Sequence, residues 1–307
     1  VKKLTLAFDT SNYTTSCAVF DGETGMNSGR LLDVAPGQLG LRQSDALYAH
    51  IRRLPSVTAA LDLREAEVAA VGASTKPREA EDSYMPCFLA GASHGAVLAK
   101  VLGVPFFEFS HQQGHIAAAA WSAGRADLLE TPHLAWHLSG GTTELLYVKP
   151  AGTAVTCEVI GGTTDISAGQ LIDRAGQLLG LRFPSGKALD KLAQTAAGGD
   201  FYAPKTTGLE FSLSGAEHKM KQLKESGADA ADVAYFTIMS VIAAVRRATE
   251  NAASKYGDLP VLFSGGVASN ALLRQTLSGG IYAEPQYSTD NALGVAILTY
   301  RAVGAHE

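Results

Sequence analysis

Only three cysteines, Cys17, Cys87 and Cys157, occur in 307 residues. An odd, widely scattered set excludes a disulfide framework and a CxxC-type metal site, and implies reduced, mostly buried thiols. Charge is scarce too: 18% of residues are Asp, Glu, Lys or Arg, against about 25% in typical proteins. A net charge of −5 argues against strong independent binding to a phosphate backbone, because that affinity grows with the number of phosphates neutralised. Basic residues gather in "HKMKQLK" (218–224) and at Arg246 and Arg247, which could contribute locally to nucleic-acid contact but read first as solvated helix faces. Long apolar runs are missing, since His94 and Lys100 interrupt the longer ones, and "VKKLTLAFDTS" opens a strand pattern without a signal-type apolar core. A cytoplasmic protein with no membrane association is expected. GxxxxGK[ST] and GxGxxG are absent, so the ordinary P-loop and dinucleotide readings fail.

What remains is an apolar, glycine-rich chain, 46% hydrophobic with 32 glycines, which fits a buried α/β enzyme of about two domains. "LTLAFDTSNYTTSCAVFDG" (4–22) reads as two strands joined by a small polar turn, and "LAWHLSGGTTELLYV" (134–148) repeats the design. The recurrence suggests two related lobes, although any hairpin resembles another. Helices are expected from Ser44 to about Leu54, at 88–102, within 167–181 and at 230–256, with strands near 68–74 and in "VPFFEF". The expected organisation is an N-terminal lobe over 1–130 and a C-terminal lobe over 131–307. The last helix, about 291–307, would pack back on the first.

Two features could carry chemistry. In "FFEFSHQQGHIAAAAW" (106–121), His111 and His115 stand four apart, a spacing that places both imidazoles on one helix face. They could share a cation, or they could simply begin a helix capped by Ser110. HExxH places a glutamate after the first histidine, and Gln112 stands there, so a metallopeptidase is disfavoured. Secondly, Ser139-Gly140-Gly141-Thr142-Thr143 joins two apolar strands, and Ser264-Gly265-Gly266 ends a third. Glycines let backbone amides approach a ligand and hydroxyls add donors, so both turns could hold phosphate or could serve only as turns.

In order along the chain, these pieces resemble the tRNA threonylcarbamoyladenosine synthases, long described as glycoproteases or O-sialoglycoprotein endopeptidases. "HQQGH" is similar to that family's HxEGH, "SGGTTEL" to SGGHTQL, and "DISAGQLIDRAGQLLGLRFPSGKALDKLA" to its D-x-A-G-E-A-F-D-K…PGG segment. "FSLSGAEH" is similar to FSFSGLKT, "SGGVASN" to AGGVAAN and "STDNA" to CTDNA. The resemblance implies a duplicated actin-like (ASKHA, ribonuclease H-like) α/β fold with two lobes around a nucleotide cleft. It implies one divalent metal, iron or zinc, on His111, His115 and Asp290. It also implies an adenylate site lined by Leu138, Ser139, Gly140, Gly141, Thr142, Asp173, Gly186, Asp190 and Asn270, for threonylcarbamoyl-AMP or for ATP or AMP. The implied reaction moves a threonylcarbamoyl group to the adenosine next to the anticodon of tRNA. The implied partners are tRNA, a non-catalytic paralogue and a small ATPase.

The sequence also departs from the family. Gln113 and Gln170 replace glutamates, Thr142 replaces a histidine, and Glu217-His218 stand in the FSFSGLKT-like segment. "DTSNYTTS" lacks the acidic pair of ETSCDET, and "TKPREAEDSYMPCF" (75–88) stands where a glycine-rich loop is usual. A glutamine cannot exchange a proton as a carboxylate does. A divergent paralogue that binds metal and nucleotide without transferring the group is therefore the alternative expectation.

Overall fold

A computed structural model describes residues 2–11, 13–33, 41–80 and 82–305. Asn12 and Glu81, which fall within two of the segments quoted above, lie outside the described residues. The chain divides into two compact units: Val1–Thr131 with Lys149–Cys157 and Thr289–Glu307, and Pro132–Val148 with Glu158–Ser288.

The first unit opens with β1 (Lys2–Asp9), β2 (Thr14–Phe20) and β3 (Gly25–Leu31), followed by α1 (Gln43–Ala59), β4 (Ala66–Lys76), α2 (Leu89–Leu102), β5 (Phe106–Ser110) and α3 (His111–Ser122). Its sheet has the order β3-β2-β1-β4-β5. The β1–β2 and β2–β3 pairs are antiparallel, whereas β1–β4 and β4–β5 are parallel. Every residue of β2 is buried, which explains its continuous small and apolar run. Helix α1 runs past Pro55, beyond the end expected near Leu54. Ala46, His50, Leu54 and Val57 form its buried face, and keeping Val57 on that face outweighs the one hydrogen bond that a proline near the helix end removes.

The second unit contains β6 (His133–Leu138), β7 (Thr143–Ala151), β8 (Ala154–Thr163), α4 (Ala168–Leu178), α5 (Gly186–Ala193), β9 (Thr206–Thr207), β10 (Glu210–Phe211), α6 (Ser214–Glu225), α7 (Ala230–Tyr256), β11 (Val261–Ser264), α8 (Ala271–Thr276) and β12 (Ile281–Tyr282). The tips of β7 and β8 fall in the first unit by the division above. Its sheet reads β12-β11-β6-β7-β8-β10-β9. With the two short strands β9 and β10 set aside, the order β8-β7-β6-β11-β12 repeats the third-second-first-fourth-fifth order of the first sheet. The same pairs are antiparallel (β6–β7) and parallel (β6–β11, β11–β12). Strand order is independent of hairpin sequence, so the repeated hairpins belong to a duplicated α/β unit. Trp136 on β6 is fully buried in a core shared with α4 and α7, and its indole N–H donates to Thr249 Oγ1 at 2.9 Å.

The chain ends in α9 (Leu293–Gly304), which packs on α3, β1 and β4. Glycines permit the approach. A Cβ on Gly294 would lie 1.8 Å from the Gly114 carbonyl oxygen. This close contact carries the turn before α9, with Asp290 in it, toward the start of α3. Among the described residues, no helix is long and apolar enough to cross a membrane.

Candidate functional site

β5 passes into α3 without a loop because Ser110 ends the strand and caps the helix. Its hydroxyl accepts from the Gln113 amide at 3.2 Å, and the Gln113 side-chain oxygen accepts from the Ser110 amide at 2.9 Å. His111 is therefore the first helical residue and His115 lies one turn on. Their Nε2 atoms converge to 2.9 Å, and both face Asp290 Oδ1, at 3.5 and 3.3 Å. One donor atom from each of the three residues falls within 4.8 Å of the other two. Two imidazoles and a carboxylate suit a divalent transition metal and leave positions for a substrate. The donor set thus fits the implied iron or zinc.

Two residues that the sequence reading did not single out surround this centre. Asp9, the last residue of β1, accepts a 2.8 Å hydrogen bond from His111 Nδ1 and another of 2.9 Å from the Ser11 amide. Thr14, at the start of β2, donates to Asp290 Oδ2 at 3.3 Å. The first hairpin does carry an acid, at its first position, and aims it at a candidate ligand, His111. An Asp at a strand end before a Ser/Thr turn was the available signal.

Burial opposes charge on all three ionisable partners, and their mutual attraction overrides it. Asp9 and Asp290 are held below the usual carboxylate range, while His111 is raised from 6.5 to about 10. In metal-free protein the His111 charge stabilises the fold fully below 6.5, and that contribution is lost as pH rises through about 10. A metal must displace this proton. Zinc uptake at pH 8 is expected to release about one proton, read from binding enthalpies in buffers of different ionisation enthalpy. Apparent affinity should fall about tenfold for each pH unit of acidification below 10.

The second unit gathers the glycine turns. β6 and β11 are parallel neighbours, Ser264 pairing with His137, so both turns leave the same strand ends, where open α/β sheets hold ligands. The Ser139 amide donates to the Thr142 carbonyl at 2.8 Å, and the Thr142 amide to Ser139 Oγ at 3.0 Å. α4 locks onto this turn: the Gly169 amide donates to the Ser139 carbonyl and Ser167 Oγ to the Gly140 carbonyl. Asp173 accepts from the Ser185 amide at 2.8 Å, just before Gly186 at the start of α5. Asp190 Oδ2 accepts from the Ala271 amide at 2.9 Å and ties α5 to α8, which Asn270 caps through a 2.9 Å bond from the Leu273 amide. Asp190 Oδ1 is buried without a hydrogen-bond partner.

The candidate glycines differ in kind. Gly265 sits at φ 92°, ψ 160°, and a Cβ there would lie 2.2 Å from the Leu138 carbonyl oxygen, so folding alone requires glycine. Gly140, Gly141, Gly186 and Gly266 lack positive φ, and a Cβ on any of them would meet nothing within 4 Å. No packing demand explains these four. They leave backbone open to an approaching group.

A family model for tRNA N6-adenosine threonylcarbamoyltransferase matches residues 83–297, more than two thirds of the chain. The chain belongs to this family. Similar solved structures include (R)-2-hydroxyglutaryl-CoA dehydratase component A from Acidaminococcus fermentans, with TM-score 0.56 and 16% identity over 98% of this chain and 99% of that one. Full-length HypF in a phosphate- and nucleotide-bound form gives 0.63 and 13% over 99% of this chain and 56% of its own. A ROK family glucokinase from Streptomyces griseus, in complex with glucose and AMPPNP, gives 0.51 and 15% over 97% and 99%. These likenesses establish the duplicated actin-like (ASKHA) fold. They do not extend to substrate.

Membership in the threonylcarbamoyltransferase family gives the departures a structural meaning. Gln113 and Gln170 both occupy the third helical position of a capping box, on Ser110 and Ser167. Glutamine and glutamate serve that role alike. Gln113 goes further, donating from Nε2 to the Val155 carbonyl at 2.7 Å while 6% exposed. Gln113→Glu would place a carboxylate against that carbonyl and is expected to cost about 2–3 kcal/mol in chemical denaturation, whereas exposed Gln170→Glu should be neutral within about 0.5 kcal/mol. Glu217, another departure, pairs with Arg174 and Lys221, each at 2.6 Å.

Proposed function

We propose that this threonylcarbamoyltransferase family member carries out the transfer itself, moving a threonylcarbamoyl group from threonylcarbamoyl-adenylate to the exocyclic amine of the adenosine next to the anticodon in tRNA. The observation that carries this reading is the convergence of His111, His115 and Asp290, with His111 backed by buried Asp9. These three residues would hold one divalent metal, iron or zinc. A metal held there would supply Lewis acidity.

The adenylate belongs with the second unit. Open backbone at Gly140, Gly141 and Gly266 would admit its phosphate, and the unpartnered Asp190 Oδ1 would accept from a ribose hydroxyl. Ser139, Thr142, Asp173 and Asn270 frame that position through the bonds described above, with Leu138 at the end of β6 and Gly186 at the start of α5. Gly265 contributes by shaping the turn. A covalent enzyme intermediate is unnecessary, because AMP is already a good leaving group. In keeping with this, burial pushes the Cys17 and Cys157 thiols up to about 12, far from a reactive thiolate at neutral pH. Gln113 needs no role as a base, since its side chain is consumed by the Ser110 cap and Val155. Gln112 follows His111 where an HExxH peptidase requires glutamate, which disfavours proteolysis.

An acidic chain would take up tRNA with help from a non-catalytic paralogue and a small ATPase. The test is a single-turnover reaction with metal-loaded protein, threonylcarbamoyl-adenylate, unmodified tRNA and those partners, the modified nucleoside being read by mass spectrometry. Product supports the transfer reading. Absence of product, with adenylate still bound and a typical family member active in parallel, would replace it with a metal- and nucleotide-binding module without transfer activity.

A further inference from the structure

The proposed metal ligands come from a helix start and from the turn before α9, but the groups that hold two of them come from the first hairpin. Asp9 ends β1, the central strand of a five-stranded sheet, and its side chain is 1% exposed. Its two carboxylate oxygens have separate duties. Oδ1 accepts from the Ser11 amide, and Oδ2 meets His111 Nδ1. A backbone amide can only donate, so it fixes which oxygen faces His111. With Nδ1 donating to Oδ2, the lone pair of neutral His111 lies on Nε2, the atom that converges with His115 Nε2 and Asp290 Oδ1.

We propose that Asp9 is the positioning residue of the metal centre, selecting the His111 tautomer that leaves Nε2 free to bind the cation. The inference rests on the metal reading above and deepens it. An imidazole whose other nitrogen donates to a carboxylate is fixed in orientation and made more basic, and loss of such a partner typically weakens metal binding 10- to 100-fold. Thr14 complements it by bonding the second oxygen of Asp290, which leaves Oδ1 toward the histidines.

Asp9→Asn isolates this role. The Ser11 amide continues to demand an acceptor, so the new amide must turn its oxygen toward Ser11 and its NH2 toward His111 Nδ1. That arrangement favours the tautomer with the proton on Nε2. Zinc affinity, measured by competition with a chromophoric chelator, is expected to fall roughly 10- to 100-fold, while circular dichroism of the metal-free variant shows the fold retained at a lowered thermal midpoint, because the buried Asp9–His111 pair is broken. Equal zinc affinity in Asp9→Asn and the unmodified protein would overturn the positioning role and leave the metal reading standing. Failure of the unmodified protein to take up zinc or iron would overturn both.

A second measurement requires no variant. In the zinc-loaded protein, ring-nitrogen NMR should show His111 bound through Nε2, with a hydrogen-bonded proton on Nδ1. Coordination through Nδ1 would overturn the proposal.

Discussion

Asp290→Ala is expected to reduce metal content from about one ion per chain to background, measured by inductively coupled plasma mass spectrometry after loading with zinc or iron. Single-turnover transfer should fall by roughly three orders of magnitude, about 4 kcal/mol of barrier. The reasoning is that Asp290 Oδ1 is the anionic member of the donor set, facing both histidine Nε2 atoms. Without it, two imidazoles alone must hold the cation. The fold should survive, because α9 is anchored independently: it meets α3 at Gly114 and Gly294, and Thr5 Oγ1 donates to the Ala296 carbonyl at 2.8 Å. Circular dichroism and a thermal melt would establish that. Removing the metal from the unmodified protein with a chelator should reproduce the same loss of transfer, restored on adding the metal back. Full metal retention in Asp290→Ala would move the centre elsewhere.

Valine in place of Gly140 is expected to weaken AMP binding by roughly 100-fold, about 2.7 kcal/mol, and to leave the thermal midpoint within about 2 °C. Gly140 has neither positive φ nor a neighbour within 4 Å of a Cβ, so the added side chain occupies only the open space in front of the turn. That space is where the proposed phosphate would approach the backbone. Gly265→Ala is expected to do the reverse at the level of folding. Its backbone lies in a region essentially reserved for glycine, and its Cβ would collide with the Leu138 carbonyl, so a loss of about 3 kcal/mol is expected. Isothermal titration with AMP, paired with chemical denaturation of both variants, separates the two outcomes. Unchanged AMP affinity in Gly140→Val would show that this turn does not face the nucleotide.

Much of the scaffold was legible in local signals. Ser110 and Ser167, each followed by glutamine three positions on, mark helix starts by capping chemistry, and α3, α4 and α7 begin within about a residue of their sequence signals. The Glu-to-Gln departures are ambiguous in the sequence alone. A residue at the third helical position can serve either the cap or a neighbouring site, and only the bonds of Gln113 to Ser110 and Val155 distinguish the two. α1 runs past the end expected near Leu54 because proline is only a local breaker, whereas the burial of Val57 that carries the helix onward is a tertiary term.

By itself the sequence determined the α/β character, the paired hairpins, the spacing that puts His111 and His115 on one helix face, and the ordered motifs of the family. These follow from period, capping and residue order, which act over a few positions. The resemblance had already grouped Asp290 with the two histidines, whereas tertiary structure alone decided that Asp9 backs His111, and that Gly265 is needed for folding while Gly140 is open. Each depends on segments distant in the chain coming within a few ångströms. Gly294 can lie against the Gly114 carbonyl because it has no side chain to prevent the contact.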